Sequence, residues 1–275
     1  MSAVAPGPER GPDHPPRVGA PAVRSRWPLP LAVPVAAWRL LRIFFHVLGA
    51  LTRTYTVWRV LDRAQLEAVT LAWSGQLLRI LGLTLSVHGT PRPGAKLIVS
   101  NHVSWLDIVA INAVAPSRFV SKAEVAGWPL IGRLVTCART LYLVRERRRD
   151  AMRVLGLMAQ ALRDGDTVAV FPEGTTGPGD HLMHLHPNLL QSAIDAGVPV
   201  QPVVLRYADP HHPYSPEPAY VGDTTLLRSL WQVVSARAVT VHVTMLPAQA
   251  VAHADRRALA ARLREEMSHA LSRAA

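Results

Sequence analysis

The stretch AKLIVSNHVSWLD, residues 95–107, gives the clearest indication of the fold. It opens with a nearly uninterrupted apolar run, which is typical of a strand buried on both faces of an α/β sheet. Asn101 and His102 follow at the carboxyl end of that strand, where open α/β sheets place their ligands. The stretch therefore predicts a central strand that ends in polar side chains capable of chemistry.

The residues after this strand support two interpretations. Ser104 and Asp107 have the Ser-x-x-acid spacing of a capping box, so they can simply begin a helix. Alternatively, Asp107 in the first helical turn accepts a hydrogen bond from His102, which fixes the imidazole tautomer and leaves the other nitrogen free as a base. The chain has no Gly-x-Ser-x-Gly elbow, so such a base would deprotonate a substrate hydroxyl directly.

Strand and helix patterns alternate through the rest of the chain. Helix patterns cover residues 187–196 and 255–271. Strands are predicted at residues 84–89, 95–101, 118–122, 140–145, 166–171, 198–207 and 239–246. We therefore predict an α/β fold with a mixed, largely buried sheet covered by helices.

Three other strand ends carry groups suited to an anionic, hydroxylated ligand. Lys122 and Arg145 each end a strand, and an arginine there can hold a phosphate bidentately. The stretch VAVFPEGTT, residues 168–176, ends in groups that can approach or hydrogen-bond a head group: Glu173, Gly174, Thr175 and Thr176. Taken singly, an exposed lysine and a strand-end turn are ordinary structural features. Together with the histidine they describe a pocket with a base, an anion clamp and hydroxyl partners.

The composition restricts the partners of the protein. There are 30 basic and 19 acidic residues, a net charge of +11, which favours nucleic acid, anionic lipid or a phosphorylated substrate. The aromatic residues are too scattered to form a base-stacking platform, so nucleic-acid binding is suggested by charge alone. Cys137 is the single cysteine, which excludes an internal disulfide and a cysteine-rich metal site.

The chain divides into three predicted regions. Residues 1–32 are rich in Pro, Gly and Arg and are predicted to be a disordered tail. Residues 33–83 are predicted to form a pair of helices, and residues 84–275 the α/β domain.

The first helix of the pair has a narrow cationic side. Its polar residues fall within about 60° of one another on a helical projection, and the remaining surface is apolar. These residues are Arg39, Arg42, His46 and Arg53. We interpret the pair as a hairpin in the membrane interface, with the arginines directed at lipid phosphates. The alternative is a core-packed helix with a solvated edge.

Four stretches resemble the motifs of the glycerolipid acyltransferases, in particular the bacterial 1-acylglycerol-3-phosphate acyltransferases. NHVSWLD resembles their Asn-His-x4-Asp motif and FPEGTT their third motif, while TLYLVR and VPVQPVVL resemble the second and fourth. The four occur in family order between about residues 84 and 207. In the second motif, Arg139 and Tyr142 stand where the family usually has a glycine and a phenylalanine.

The resemblance implies roles for the candidate residues. His102, oriented by Asp107, would be the general base, and Lys122 and Arg145 would hold a phosphate. The glycerol end would lie against the residues of the third motif, Glu173, Gly174, Thr175 and Thr176.

The resemblance also implies partners and a location. The acyl donor would be an acyl-CoA or acyl carrier protein thioester, with no bound cofactor, no metal and no nucleic acid. The protein would work on the anionic surface of the inner membrane, with its catalytic domain on the cytoplasmic face. Lysophosphatidate is the expected acceptor. Lyso-ornithine lipid or another lysolipid is the alternative, and a non-catalytic membrane lipid-binding protein is a further one.

Overall fold

A computed structural model of the chain describes residues 25–57, 60–129, 131–143, 148–252 and 254–273. Residues 1–24, which make up most of the predicted tail, lie outside the described residues, and so does Arg145. The three-region division of the chain therefore stays a prediction.

The described chain alternates helices and strands, as the sequence predicts. The helices are α1 (Leu29–Thr56), α2 (Arg63–Leu81), α3 (Leu106–Asn112), α4 (Ile131–Cys137), α5 (Arg148–Arg163), α6 (Gln191–Ala196), α7 (Leu226–Ser235) and α8 (Arg256–Arg273). The strands are β1 (Leu83–His88), β2 (Lys96–Ser100), β3 (Arg118–Lys122), β4 (Leu141–Leu143), β5 (Thr167–Val170), β6 (Val200–Ala208) and β7 (Val239–Met245). Short 3₁₀ turns cover Ala123–Gly127 and Pro187–Leu190. Each predicted strand overlaps an observed one.

The strands form one seven-stranded mixed sheet in the order β1-β7-β6-β2-β5-β3-β4. Strands β6, β2, β5, β3 and β4 run parallel, while β7 is antiparallel to β6 and parallel to β1. Because β2 lies between β6 and β5, its carboxyl end is in the middle of one sheet edge. This edge receives the stretch that follows β2.

Helices cover both faces of the sheet. Successive side chains of β2 alternate between the faces: Ile98 belongs to one apolar core, and Leu97 and Val99 belong to the other. All three are fully buried. The first core also contains residues of α1, α2, α3 and α7, and the second contains residues of α5, α6 and α8. The predicted α/β fold with a buried, helix-covered mixed sheet is confirmed.

Helix α1 turns its apolar side away from the protein. Seven large apolar side chains are 43% to 60% exposed: Leu31, Val33, Trp38, Leu41, Phe44, Phe45 and Leu48. The opposite side is buried at Ala32, Ala36 and Leu51. By length and composition, Pro30–Thr56 could cross a membrane, and it is the one such helix among the described residues.

Two polar side chains of α1 contact the domain. Arg39 donates through Nη1 to the carbonyls of Val234 and Ala236, both at 2.8 Å, at the end of α7. His46 contacts the carbonyl of Trp73 on α2 at 3.1 Å and stacks on its ring. A cation such as Arg39 is favourable beside the carboxyl end of α7, because the last carbonyls of a helix lack helical partners. Both side chains join α1 to the domain, and the predicted orientation toward lipid phosphates is wrong for Arg39.

A buried carboxylate joins α2 to the sheet. The side chain of Asp166, just before β5, is 4% exposed and accepts hydrogen bonds from three arginines. Arg63 at the start of α2 contacts Oδ1, and Arg118 contacts Oδ2 at 2.8 Å. Arg139 binds both oxygens, at 2.9 and 3.0 Å. A buried charge needs such partners, so this cluster fixes α2 against the strand starts.

Arg139 also ends α4 with a left-handed backbone, at φ 59°. Its amide donates to the carbonyl of Thr136 at 2.9 Å, and the amide of Thr140 donates to that of Val135 at 3.4 Å. These are the two hydrogen bonds of a Schellman motif, whose left-handed position is usually glycine. The arginine that departs from the family pattern thus occupies a backbone position suited to glycine.

Candidate active site

The stretch after β2 is held against β6 by a side chain that imitates a strand. Asn101 donates from Nδ2 to the carbonyl of Leu205 at 2.9 Å, and its Oδ1 accepts the amide of Leu205 at 2.8 Å. The backbone ladder of β2 and β6 reaches Ser100 paired with Val203, so Asn101 extends the pairing beyond it. Because Asn101 is 1% exposed, its amide is committed to this bracing and not to a ligand.

His102 and Asp107 form the predicted pair. Nδ1 of His102 lies 2.8 Å from Oδ2 of Asp107. The aspartate is fully buried, whereas the histidine side chain is 20% exposed. The ionised carboxylate only accepts hydrogen bonds, so Nδ1 carries the proton and Nε2 is left with a lone pair. The geometry therefore presents a histidine base oriented by a buried carboxylate.

The helix-start interpretation is realised in part. Asp107 Oδ2 accepts the amides of Val103 at 2.6 Å and Ser104 at 2.9 Å, so the carboxylate folds back over the turn before α3. Ser104 does not cap the helix, because among the described residues its buried hydroxyl has no hydrogen-bond partner and α3 begins at Leu106. The same turn thus starts a helix and sets the carboxylate against the histidine.

Phe171 fixes the plane of the His102 ring. The two rings stack with centroids 4.0 Å apart and an interplanar angle of 8°. Phe171 follows β5, the strand beside β2, which brings its ring under the imidazole. The imidazole is thus restrained on one face by the aromatic ring and at Nδ1 by the carboxylate. Sequence reasoning gave Phe171 no role, although it opens the quoted FPEGTT motif.

Glu173 holds the backbone of His102 in place through hydrogen bonds. Its Oε2 accepts the amide of His102 at 2.8 Å, and its Oε1 accepts the amide of Met183 at 2.9 Å. Burial raises the pKa of this carboxyl, while hydrogen bonds from the Met183 and His102 amides oppose the rise. Because Glu173 is 6% exposed and both oxygens are occupied, the structure gives it a bracing role rather than the predicted contact with a head group.

The remaining residues of the third motif differ in their surroundings. Gly174 has φ +73°, a conformation that residues with a Cβ seldom adopt, and the ring of His186 lies 3.6 Å from where a Cβ would be. Thr175 is exposed beside it. Thr176 donates its hydroxyl to the carbonyl of Tyr220. Gly174 and Thr175 are thus placed where a ligand could reach them, whereas the Thr176 hydroxyl is already used within the protein.

The predicted anion clamp is described only in part. Lys122 is exposed at the end of β3, next to β5 in the sheet, and its backbone is paired in register with Leu143 of β4. Arg145 follows β4 but lies outside the described residues, so its role stays a prediction.

No group of three or more histidines, cysteines and acids in the described ranges could hold a metal ion. His181, His184 and His186 are all exposed.

A histidine paired with a buried carboxylate, at the carboxyl edge of a helix-covered α/β sheet, can take the proton of a substrate hydroxyl. The comparisons with known proteins agree. The family model described as Acyltransferase matches residues 85–206, and the chain belongs to this acyltransferase family. The resemblance seen in the sequence is thereby confirmed.

Two curated relatives show how far the similarity extends. The 1-acyl-sn-glycerol-3-phosphate acyltransferase of Neisseria meningitidis serogroup B is 37% identical over 188 residues, which cover 68% of this chain and 73% of the relative. The lyso-ornithine lipid O-acyltransferase of Pseudomonas aeruginosa is 36% identical over 192 residues, covering 69% and 74%.

A solved structure shares the fold. The 1-acyl-sn-glycerophosphate acyltransferase PlsC of Thermotoga maritima superposes with a TM-score of 0.67, covering 89% of this chain and 96% of that one. At 19% sequence identity this likeness supports the architecture alone.

Proposed function

We propose that the protein transfers a fatty acyl group from an acyl thioester to the free hydroxyl of a lysolipid, with 1-acylglycerol-3-phosphate as acceptor and phosphatidate as product. The single observation that carries the proposal is the His102–Asp107 pair at 2.8 Å, in a member of the acyltransferase family. The first relative described above is named for this acceptor.

In the mechanism, His102 is the general base. Its Nε2 takes the proton of the lysolipid hydroxyl as the oxygen attacks the thioester carbonyl. The tetrahedral intermediate then collapses, the carbon–sulfur bond breaks, and the imidazolium returns the proton to the departing thiolate. Asp107 stabilises the imidazolium that exists between these two proton transfers. No acyl-enzyme forms, so the acyl group moves in one transfer from sulfur to oxygen.

The phosphate of the acceptor would be held by Lys122 and Arg145. Lys122 is an exposed cation at the end of β3, two strands from the histidine in the sheet order. Arg145 follows the neighbouring strand β4 in sequence, and an arginine there could bind the phosphate bidentately. Gly174 and Thr175 would contact the glycerol end, since both are exposed beside the base.

A second acceptor is supported by one observation. Four relatives at 32% to 37% identity are named lyso-ornithine lipid O-acyltransferases, including that of Pseudomonas aeruginosa. Lyso-ornithine lipid also offers a hydroxyl to the same base, so the mechanism is unchanged. The two acceptors differ in head-group charge and not in the chemistry at His102.

The donor would be a coenzyme A or acyl carrier protein thioester. Both present the same thioester carbonyl, and both are cytoplasmic acyl carriers. We accordingly place the catalytic domain on the cytoplasmic face of the inner membrane.

Helix α1 would hold the protein in the membrane interface. Its exposed apolar side faces away from the domain, while Ala32, Ala36 and Leu51 are buried against protein along the helix. If α1 crossed the bilayer, its neighbours α2 and α7 would have to enter the hydrocarbon with it. A helix lying in the interface instead buries its apolar side in lipid and leaves the domain in water. The net charge of +11 would add attraction to anionic lipid.

The proposal is tested by acyl transfer with purified protein on vesicles. The acceptors are lysophosphatidate, lyso-ornithine lipid and a neutral lysolipid, each with coenzyme A and carrier-protein thioesters. His102→Ala should lower turnover by about 10²- to 10⁴-fold, the usual contribution of a positioned base. His269→Ala, which removes an exposed histidine of α8, is the matched control and should leave turnover unchanged.

Three results would count against parts of this proposal. Transfer to lyso-ornithine lipid but not to lysophosphatidate would replace the acceptor. Normal turnover of His102→Ala would refute the mechanism. Tight vesicle binding without transfer to any acceptor would favour the non-catalytic lipid-binding alternative.

A further inference from the structure

Tyr207 makes a contact with the catalytic pair that no motif assigns. It lies on β6, one residue beyond the stretch matched by the family model. Its phenolic oxygen donates to Oδ1 of Asp107 at 2.8 Å. The two residues are 100 positions apart, and the placement of β6 beside β2 brings them together.

The carboxylate of Asp107 depends on this donor. Its Oδ2 already receives Nδ1 of His102 and the amides of Val103 and Ser104. Among the described residues, Tyr207 is the one donor to Oδ1. Because Asp107 is fully buried, water cannot replace a lost donor, and an unpaired charged oxygen there would be costly.

The phenol stays a donor at every pH at which the protein could work. Burial, together with the negative charge of Asp107, raises the pKa of Tyr207 well above 10.0. Tyr207 is 2% exposed, and its ring packs in the first apolar core. The hydroxyl is therefore neutral, fixed in position and out of reach of a substrate.

Tyr207 also acts together with Asn101 to set the geometry. Asn101 begins the turn between β2 and α3, and its side chain is hydrogen-bonded to the backbone of Leu205, two residues before Tyr207 on the same strand. The turn is therefore attached to β6 at its beginning through Asn101 and at its end through Asp107. With both attachments made, the carboxylate cannot rotate without losing a hydrogen bond from β6.

We propose that Tyr207 is a positioning residue for acyl transfer: its hydroxyl holds Asp107 in the one orientation that aligns His102 with the substrate hydroxyl. The kinetic consequences of this inference rest on the proposed function. The geometry does not depend on the proposed function, because it can be measured in the absence of any substrate.

Tyr207→Phe is the test, because it removes the hydroxyl and keeps the ring in the core. The matched control is Tyr214→Phe, which removes a phenolic hydrogen bond to the carbonyl of Leu271 at the far side of the domain. For Tyr207→Phe we expect kcat to fall about 10- to 100-fold, in line with the loss of a hydrogen bond to a charged group. KM should change less than about twofold, because the lost interaction concerns the transition state. Tyr214→Phe should keep wild-type kcat.

A spectroscopic signature separates positioning from a general loss of stability. The Nδ1 proton of a histidine bonded to a carboxylate gives a far-downfield proton resonance. This signal of His102 should move or broaden in Tyr207→Phe and remain in place in Tyr214→Phe. If Tyr207→Phe fails to fold, 3-fluorotyrosine at position 207 keeps the hydroxyl and makes it a stronger donor, and it should move the same resonance.

Two outcomes would overturn the inference. Equal kcat values for Tyr207→Phe and Tyr214→Phe in an active protein would show that the hydroxyl does not support the reaction. A full Tyr207→Phe effect in an Asp107→Asn background would show that Tyr207 does not act through the aspartate, since residues that act as a unit give non-additive effects. Wild-type protein without transferase activity would refute the proposed function alone, and the resonance would still test the positioning.

Discussion

Replacing Arg139 with glycine and with alanine tests why this arginine is tolerated at the end of α4. Its backbone is left-handed, at φ 59°, while its side chain binds Asp166 through two hydrogen bonds. The glycine variant relieves the backbone and loses the ion pair. The alanine variant loses the ion pair and keeps the unfavourable backbone.

The magnitudes follow from these two contributions. A left-handed conformation costs a residue with a Cβ about 1 kcal/mol. The Arg139 side chain is 44% exposed, and Asp166 keeps Arg63 and Arg118, so losing this pair costs about 0.5–1 kcal/mol. Arg139→Ala should therefore be about 0.5–1 kcal/mol less stable than the wild type. Arg139→Gly should be within about 0.5 kcal/mol of it, because the gain and the loss nearly cancel.

Thermal unfolding in mild detergent measures the difference. About 1 kcal/mol corresponds to about 2–4 °C in Tm for a protein of this size, so Arg139→Gly should melt above Arg139→Ala by that amount. Arg262 in α8 is the control position, since it is an exposed arginine inside a helix and makes one side-chain hydrogen bond, to Gln249. There alanine should be more stable than glycine by about 1 kcal/mol.

The order of the two variants at position 139 is the deciding result. If alanine is as stable as glycine there, the left-handed backbone is not the feature that matters. The ion pair would then be the whole reason for the arginine.

Two further predictions concern vesicle binding through α1 and the pH dependence of stability through His242. The double variant Trp38→Glu/Phe45→Glu should no longer float with anionic vesicles, because both side chains are 60% exposed on α1. The control Leu157→Glu, on the opposite face of the domain, should still float. Equal flotation of the wild type and both variants would contradict the assignment of α1 to the membrane interface. Burial and the positive charges of Arg206 and His88 lower the pKa of His242 below 6.5. The unfolded chain therefore protonates this histidine more readily than the folded protein does, and the free energy of unfolding falls as the pH drops below 6.5. His242→Gln should lose less Tm than the wild type between pH 7.5 and 5.5, and parallel losses would show that this histidine does not contribute.

The bracing of Glu173 changes how the third motif should be understood. Sequence reasoning placed its carboxylate on the substrate because it follows a strand end. In the structure the carboxylate links the His102 amide to the Met183 amide, and so joins the turn between β2 and α3 to the loop after β5. A buried acceptor of two backbone amides is a structural element, and Gly174 and Thr175 are the residues of the motif that are exposed.

The sequence by itself determined the fold class and the contact between His102 and Asp107. Near-continuous apolar strands require a sheet covered on both faces, and a histidine five residues before an aspartate at a strand end places the two within reach of each other. These are local properties, since they depend on burial pattern and on spacing within one turn.

The tertiary structure decided what surrounds that pair. Tyr207 reaches Asp107 only because β6 lies beside β2, and the order of strands in a sheet is not encoded in the pattern of any one strand. The tertiary structure also decided which side of α1 faces the domain. Periodicity separates the apolar side of the helix from its polar side, but it does not show which of the two sides packs against the protein. Arg39 turned inward because carbonyls at the end of α7 there lacked helical partners, and those carbonyls come from a distant part of the chain.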